Sequence, residues 1–224
     1  EFSYTMEYAI NHPINKELLI DAVYKKYNTS YSIEKLEKIL WFVNILTTNI
    51  MKNHILVSII IPFYNTEKYI HSCLNSVLQQ DWPFIEIICI NDGSTDKTKD
   101  ILDNYASKED RITVYHKINE GAAIARSYGV SKASGDYVMF VDSDDTIISN
   151  AVSSMVKIIL EDRNVDIVVS GFNIIKNNKV VRKFSTNFTS FNNIEYLRNV
   201  LTGRCGMELC AKLFKKNLFD ANIV

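Results

Sequence analysis

Asp142, Asp144 and Asp145 place three carboxylates within four positions, directly after the apolar run Tyr137, Val138, Met139, Phe140 and Val141. An uninterrupted apolar run of this length, entered from Gly135, predicts a strand buried on both faces. Carboxylates at the end of a buried strand need a partner, because burying an unpaired charge is costly. A hard divalent cation is one such partner, since it takes oxygen ligands. A solvated acidic turn is the other reading of so short a pattern.

The surrounding sequence supplies the elements that would hold these carboxylates. Apolar, β-branched runs predict strands over 55–61, 84–90, 112–116, 137–141 and 166–170. Between them, apolar residues at helical spacing predict helices over 67–79, 96–106, 122–133 and 150–160. A hairpin comes next, with strands over 174–175 and 180–184 around Asn177 and Asn178, and then a helix over 193–201. Strands alternating with helices of ten or so residues imply an α/β fold, a mostly parallel sheet with helices on both faces. Ligands of such sheets bind at the carboxyl ends of the strands. The first 52 residues read differently. Leu18, Leu19, Ala22 and Val23, then Ile33, Leu36, Ile39, Leu40, Val43 and Leu46, predict two amphipathic helices with no catalytic constellation. The expected organisation is a helical N-terminal appendage over 1–52 and a ligand-binding domain over 53–224.

Composition removes several classes of function. The 224 residues carry a net charge of -1 and no basic stripe, which argues against nucleic acid as a partner. No apolar run approaches the ~18 residues of a membrane span. The polar face of the second N-terminal helix balances Glu34 and Glu37 against Lys35 and Lys38, so it is poorly suited to an anionic lipid surface. Cys73, Cys89, Cys205 and Cys210 form no metal-binding spacing, and a reducing, cytoplasmic setting is the default expectation, with peripheral attachment at the inner membrane face left open. The apolar stripe of the appendage leaves two burial partners open, the main domain or a second copy in a homodimer.

Each predicted strand runs out into residues of distinct chemistry. After the first come Pro62, Phe63, Tyr64 and Asn65: Pro62 is expected to end the strand, Tyr64 offers a face for a flat base, and Asn65 reads as a helix cap. After the second, Gly93 allows a tight turn and Asp92 remains as a carboxylate able to accept from the imide N–H of uracil. After the third, Asn119, Glu120 and Gly121 open a helix whose N-terminus favours phosphate. Arg126, one turn in, could pair with a diphosphate or with the local carboxylates. After the fourth stands the aspartate cluster. An aromatic, a carboxylate, a helix N-terminus and a cation-binding pair together suit a nucleotide diphosphate bridged to a metal.

The segments 58–65, 87–96, 119–129 and 135–145 together resemble the family 2 glycosyltransferases of GT-A (Rossmann-like) fold, and the resemblance runs from residue 55 to 224. It implies transfer of a sugar, with inversion, from a nucleotide-diphosphate donor, expected to be a UDP-sugar, to a hydroxyl of a glycan acceptor, in the assembly of a bacterial surface polysaccharide. Tyr64 and Asp92 resemble the uracil contacts. Pro62, Asn65, Gly121, Arg126, Asp142 and Ser143 fall on nucleotide-binding positions. Asp142-Ser143-Asp144 resembles the DxD motif, in which Asp144, with Asp142, would hold Mn²⁺ or Mg²⁺. Asn91 departs from the aspartate usual at its position. In relatives the base that takes the acceptor proton comes after a segment like 208–219. The sequence reaches only Val224, so that base is expected to be missing, with Glu208 the candidate substitute. Two other functions compete. A nucleotidyltransferase of similar fold usually carries a glycine-rich phosphate loop after the first strand, and 62–65 has no glycine. A non-catalytic nucleotide-sugar-binding or scaffold module would show no metal-dependent nucleotide binding.

Overall fold

The run Val57–Phe63 is buried at every position, because it forms the central strand β1 of a six-stranded sheet. The computed structural model describes residues 54–176, 179–185, 192–203, 206 and 208–219. The expected helices over 1–52, with the stripe that could serve a dimer, lie outside the described residues, as do Cys205 and the Asn177–Asn178 turn. In chain order the elements are β1, α1 (Ile70–Leu78), β2 (Ile85–Asp92), α2 (Thr98–Ala106), β3 (Ile112–Lys117), α3 (Ala122–Lys132), β4 (Tyr137–Phe140), α4 (Ala151–Glu161), β5 (Ile167–Val169), β6 (Phe172–Lys176), β7 (Lys179–Phe184), α5 (Asn193–Leu201) and β8 (Lys212–Lys215), which runs into a 3-10 turn, Lys216–Phe219. The sheet order is β3-β2-β1-β4-β8-β5, and β6 and β7 pair separately as a hairpin.

The first four strands of that order are parallel, with Ile60 facing Ile88 of β2 and Phe140 of β4. Alternation along β1 feeds two cores, since successive side chains of a strand point to opposite faces. Ile59 and Ile61 pack with Cys73, Leu74 and Val77 of α1, Leu102 of α2 and Val152, Val156 and Ile159 of α4. Ile60 packs on the other face with Ala125 of α3, Val138 and Phe140. Helices therefore cover both faces of a mostly parallel sheet, as the alternating pattern requires. Cys73 and Cys89 are buried, unpaired thiols of this interior. Among the described residues no helix is long and apolar enough to cross a membrane.

Close packing of α3 on β1 depends on Gly129. A Cβ there would run into Cγ2 of Ile60, a buried side chain that cannot swing away. Overpacking of this kind costs about 1–3 kcal/mol. Gly129→Val is accordingly expected to lower the unfolding free energy by about that amount, read as a lower urea midpoint with an unchanged slope.

Two local expectations need correction. Pro62 does not end β1, which pairs with β2 through Pro62 and Phe63. Ile60 accepts from the Val141 amide, so the backbone of Ile60, and of Pro62 two residues on, faces β4. The β1–β4 pairing stops at Ile60, so no ladder bond is lost at a residue without an N–H. The second correction is β8, which the sequence did not announce. It pairs antiparallel with β4, Val138 opposite Phe214, and with β5, Val168 opposite Leu213. A lysine opens this short strand, yet Lys212 is buried, its Nζ donating to the carbonyl of Gly206 at 2.8 Å and to that of Glu208.

Candidate functional site

Asn65 has a φ of 52°, a left-handed turn that asparagine tolerates better than most residues. Its side-chain oxygen accepts from the Thr95 amide at 2.8 Å and its own amide donates to Ser94 Oγ at 3.0 Å. Asn65 thus ties the β1–α1 turn to the β2–α2 turn rather than capping α1, which begins at Ile70. Tyr64, beside it, is half exposed. Asn91 does similar work: its Oδ1 accepts from the Ser94 amide at 3.1 Å, and its Nδ2 lies 3.0 Å from His116 Nδ1. Gly93, at φ 72°, passes so close to Asn119 that a Cβ would sit 2.7 Å from its amide nitrogen.

Asp92 is 2% exposed and heavily bonded. Oδ1 accepts from Lys117 Nζ at 2.8 Å and from the Glu120 amide at 3.1 Å, and Oδ2 accepts from the Gly121 amide at 2.8 Å. Burial alone would push this carboxyl up. The bonds from Lys117 and the two amides outweigh it and hold the carboxyl below its ordinary value. Lys117 was not singled out in the sequence. Its ammonium also donates to the Ile118 carbonyl at 2.8 Å and pairs with Glu120 at 2.6 Å. The available signal was a lysine closing a strand two residues before an Asn-Glu-Gly turn.

Arg126 lies one turn inside α3, and its Nη2 bonds to Oδ1 of Asp142. Its Nε is buried without a hydrogen-bond partner. Of the two roles the sequence left open for Arg126, pairing with a local carboxylate is the one present here. A carboxylate oxygen from each of Asp142 and Asp145 and the sulfur of Cys210 lie within 4.8 Å of one another. Asp144, the expected ligand, is not in that cluster, although it lines the same cleft. Partial burial, then the charges of Asp144 and Asp142, push the Asp145 carboxyl up. Burial and the same three carboxylates push the Cys73 thiol, beneath the loop, up to about 12.

All four strand ends open on one cleft of about 360 Å³. Pro62, Tyr64, Asp92, Gly121, Arg126, Asp142, Ser143 and Asp144 line it, together with Phe63, Asn119 and Ala122. Of the expected nucleotide-binding residues, only Asn65 is absent from the wall. Glu208 stands elsewhere, in a shallow niche of about 40 Å³ that it shares with Ser170, Phe172, Phe184 and Cys210. Phe172 and Phe184 stack there across the hairpin, with ring centroids 4.4 Å apart.

A sheet of this order, with its cleft at the carboxyl ends of the central parallel strands, defines an α/β domain of the GT-A type. Residues 58–221 match Glycosyl transferase family 2, and the chain belongs to that family. It is similar to the glycosyltransferase GlyG of Streptococcus pneumoniae serotype 4, 36% identical over 118 residues, which are 52% of this chain and 39% of the relative. It is similar also to the uncharacterized glycosyltransferase EpsJ of Bacillus subtilis strain 168, 43% identical over 117 residues, 52% of this chain and 34% of the relative. Among solved structures it resembles S. aureus TarS 1–349 in complex with UDP-GlcNAc, with a TM-score of 0.63 and 28% identity over 75% of this chain and 47% of that one. The chain therefore spans less than half the length of each.

Proposed function

We propose that the cleft binds a UDP-sugar with a divalent cation and that the protein transfers the sugar, with inversion, to a glycan hydroxyl. The observation that carries this reading is the convergence of Tyr64, Asp92, the N-terminus of α3, Arg126 and the aspartates on one cleft. The S. aureus TarS structures in complex with UDP and with UDP-GlcNAc support it. Tyr64 and Asp92 lie on the β1–β2 side, where a base would stack and be bonded. The first turn of α3, from Ala122 on, points its amides at the cleft and suits phosphate oxygens, while the Gly121 amide is taken by Asp92.

The donor set at the end of β4 fits a divalent cation. Hard cations take carboxylate oxygens, and Asp142 and Asp145 bring theirs close enough for one ion to bridge. Burial and the neighbouring carboxylates push the Cys210 thiol up, so the carboxylate oxygens are the donors that suit Mn²⁺ or Mg²⁺. A cation held there, with Asp144 at the cleft wall, would act as a Lewis acid on the charge that develops on the diphosphate. Arg126 adds a fixed positive charge beside the same oxygens. In the transfer itself, the acceptor oxygen forms a bond to the anomeric carbon as the bond to the diphosphate breaks, the electron pair leaving with the diphosphate. The hydroxyl proton needs a base within hydrogen-bond reach. Glu208, the candidate from the sequence for that base, lies outside the cleft, in a niche it shares with Cys210 of the cation cluster.

Thermal unfolding with UDP, with and without Mn²⁺, tests the reading. Ligand at 100 times its Kd stabilises by about 2.7 kcal/mol, a rise of several degrees in Tm that is expected only when nucleotide and cation are both present. No nucleotide-dependent rise under any condition would leave a scaffold role as the better account.

A further inference from the structure

We propose that Lys117 decides which base the cleft accepts, by holding Asp92 as a pure acceptor with a single lone pair left over. The inference rests on the reading that Asp92 faces the base. A carboxylate offers about four acceptor positions. Three are filled from within the chain: two on Oδ1, by Lys117 and the Glu120 amide, and one on Oδ2, by the Gly121 amide. What remains is one lone pair on Oδ2 of a residue that lines the cleft. That lone pair can take an imide N–H, which uracil presents at N3. Cytosine presents a ring-nitrogen acceptor at the same place, so its lone pair would face the lone pair of Oδ2.

Lys117 is built for this one task. Its ammonium has three donors and no acceptor, and the three reach Asp92, Glu120 and the Ile118 carbonyl. Its side chain is 12% exposed and that of Asp92 3%, so the pair is shielded from salt and from exchange with solvent. The other charges around Asp92 are Glu120 in the β3–α3 loop and, among the cleft-lining residues, Arg126, Asp142 and Asp144. Arg126 is engaged with Asp142. Without Lys117 the surroundings of Asp92 are mostly anionic, and a proton on Oδ2 becomes favourable as pH falls. A protonated Oδ2 donates, and then it suits cytosine instead of uracil. Lys117 is thus a positioning residue, acting on the base through Asp92.

The test is the ratio of UDP to CDP affinity, measured by calorimetry with the full chain in Mn²⁺ across pH. In the unsubstituted protein, UDP is expected to bind about tenfold or more tightly than CDP, since a buried acceptor left facing another acceptor loses its bond, with a ratio that stays flat from about pH 8 down to about pH 5.5, above the ordinary carboxylate range. In Lys117→Met the ratio should fall toward one as pH is lowered, and Lys117→Arg should restore the flat profile. Lys117→Gln keeps a donor and loses the charge, and gives the same reading if the Met variant does not fold. Equal weakening of UDP and CDP at every pH would make Lys117 a merely structural residue and overturn the proposal. If the unsubstituted protein binds neither nucleotide, the nucleotide reading itself fails. If it binds both equally, that reading stands and this inference falls.

Discussion

UDP binding by Asp144→Ala is expected to lose its dependence on Mn²⁺ while the fold stays intact. Asp144 is exposed at the mouth of the cleft, and surface substitutions of this kind usually change stability by less than about 0.5 kcal/mol. Its effect should be confined to the ligand. Without a cation the diphosphate meets Asp142 and Asp145 directly, and affinity in Mn²⁺ should fall roughly 100-fold, about 2.7 kcal/mol. Asp142→Ala should show both effects. It removes the acceptor of Arg126, whose Nε already lacks a partner, and leaving that guanidinium uncompensated costs about 1–2 kcal/mol at a part-exposed site. Calorimetry with and without Mn²⁺, alongside urea unfolding, separates the two. If Asp145→Ala abolishes the cation dependence and Asp144→Ala does not, the ion belongs with Asp142, Asp145 and Cys210, and the sequence-based assignment of Asp144 is wrong.

Asp92→Ala is expected to be the most destabilising single change at the site, by about 3 kcal/mol. It strips partners from two loop amides and from Lys117 inside the wall of the cleft, and breaking a buried charge pair from one side costs about 3–5 kcal/mol, less where other acceptors remain. Lys117 keeps Glu120 and the Ile118 carbonyl. The pH dependence has a definite sign. The folded carboxyl lies below its unfolded value. Its contribution is therefore fully present above about pH 4 and is lost as pH falls through the folded value. Urea unfolding should show a stability slope below about pH 4 that Asp92→Ala lacks. An identical slope in both proteins would place the acid sensitivity elsewhere.

Much of the site was legible because each strand is an apolar run that ends in residues of distinct chemistry. Tyr64, Asp92, Gly121 and Asp142 all stand at or just past such ends, and the parallel order brings them together. Lys117 was not legible, because a lysine closing a strand looks like an ordinary solvated end; only the fold shows that it turns inward to Asp92. Asn65 and Asn91 carry nucleotide-like motif positions but spend their side chains on neighbouring turns. Strand β8 was hidden for a different reason. It has four residues, begins and ends with lysine, and inserts between two strands that lie far from it in the chain. Burial of Lys212 depends on carbonyls at Gly206 and Glu208, a local trap that no periodicity reveals.

The place of β8 also sets an order of assembly. Strands β1 to β4 lie in one contiguous stretch, 57–140, and pair only with one another until β8 arrives. β5 is made before β8 but has no other partner in the sheet. As the chain emerges from a ribosome, the half that bears the cleft can close early, while β4 keeps a bare edge and β5 waits undocked for another forty or so residues. Such non-local pairing is slow, and bare edges recruit other strands. Among the described strands, β8 is therefore the one that both docks β5 and shields the edge of β4 from neighbouring chains.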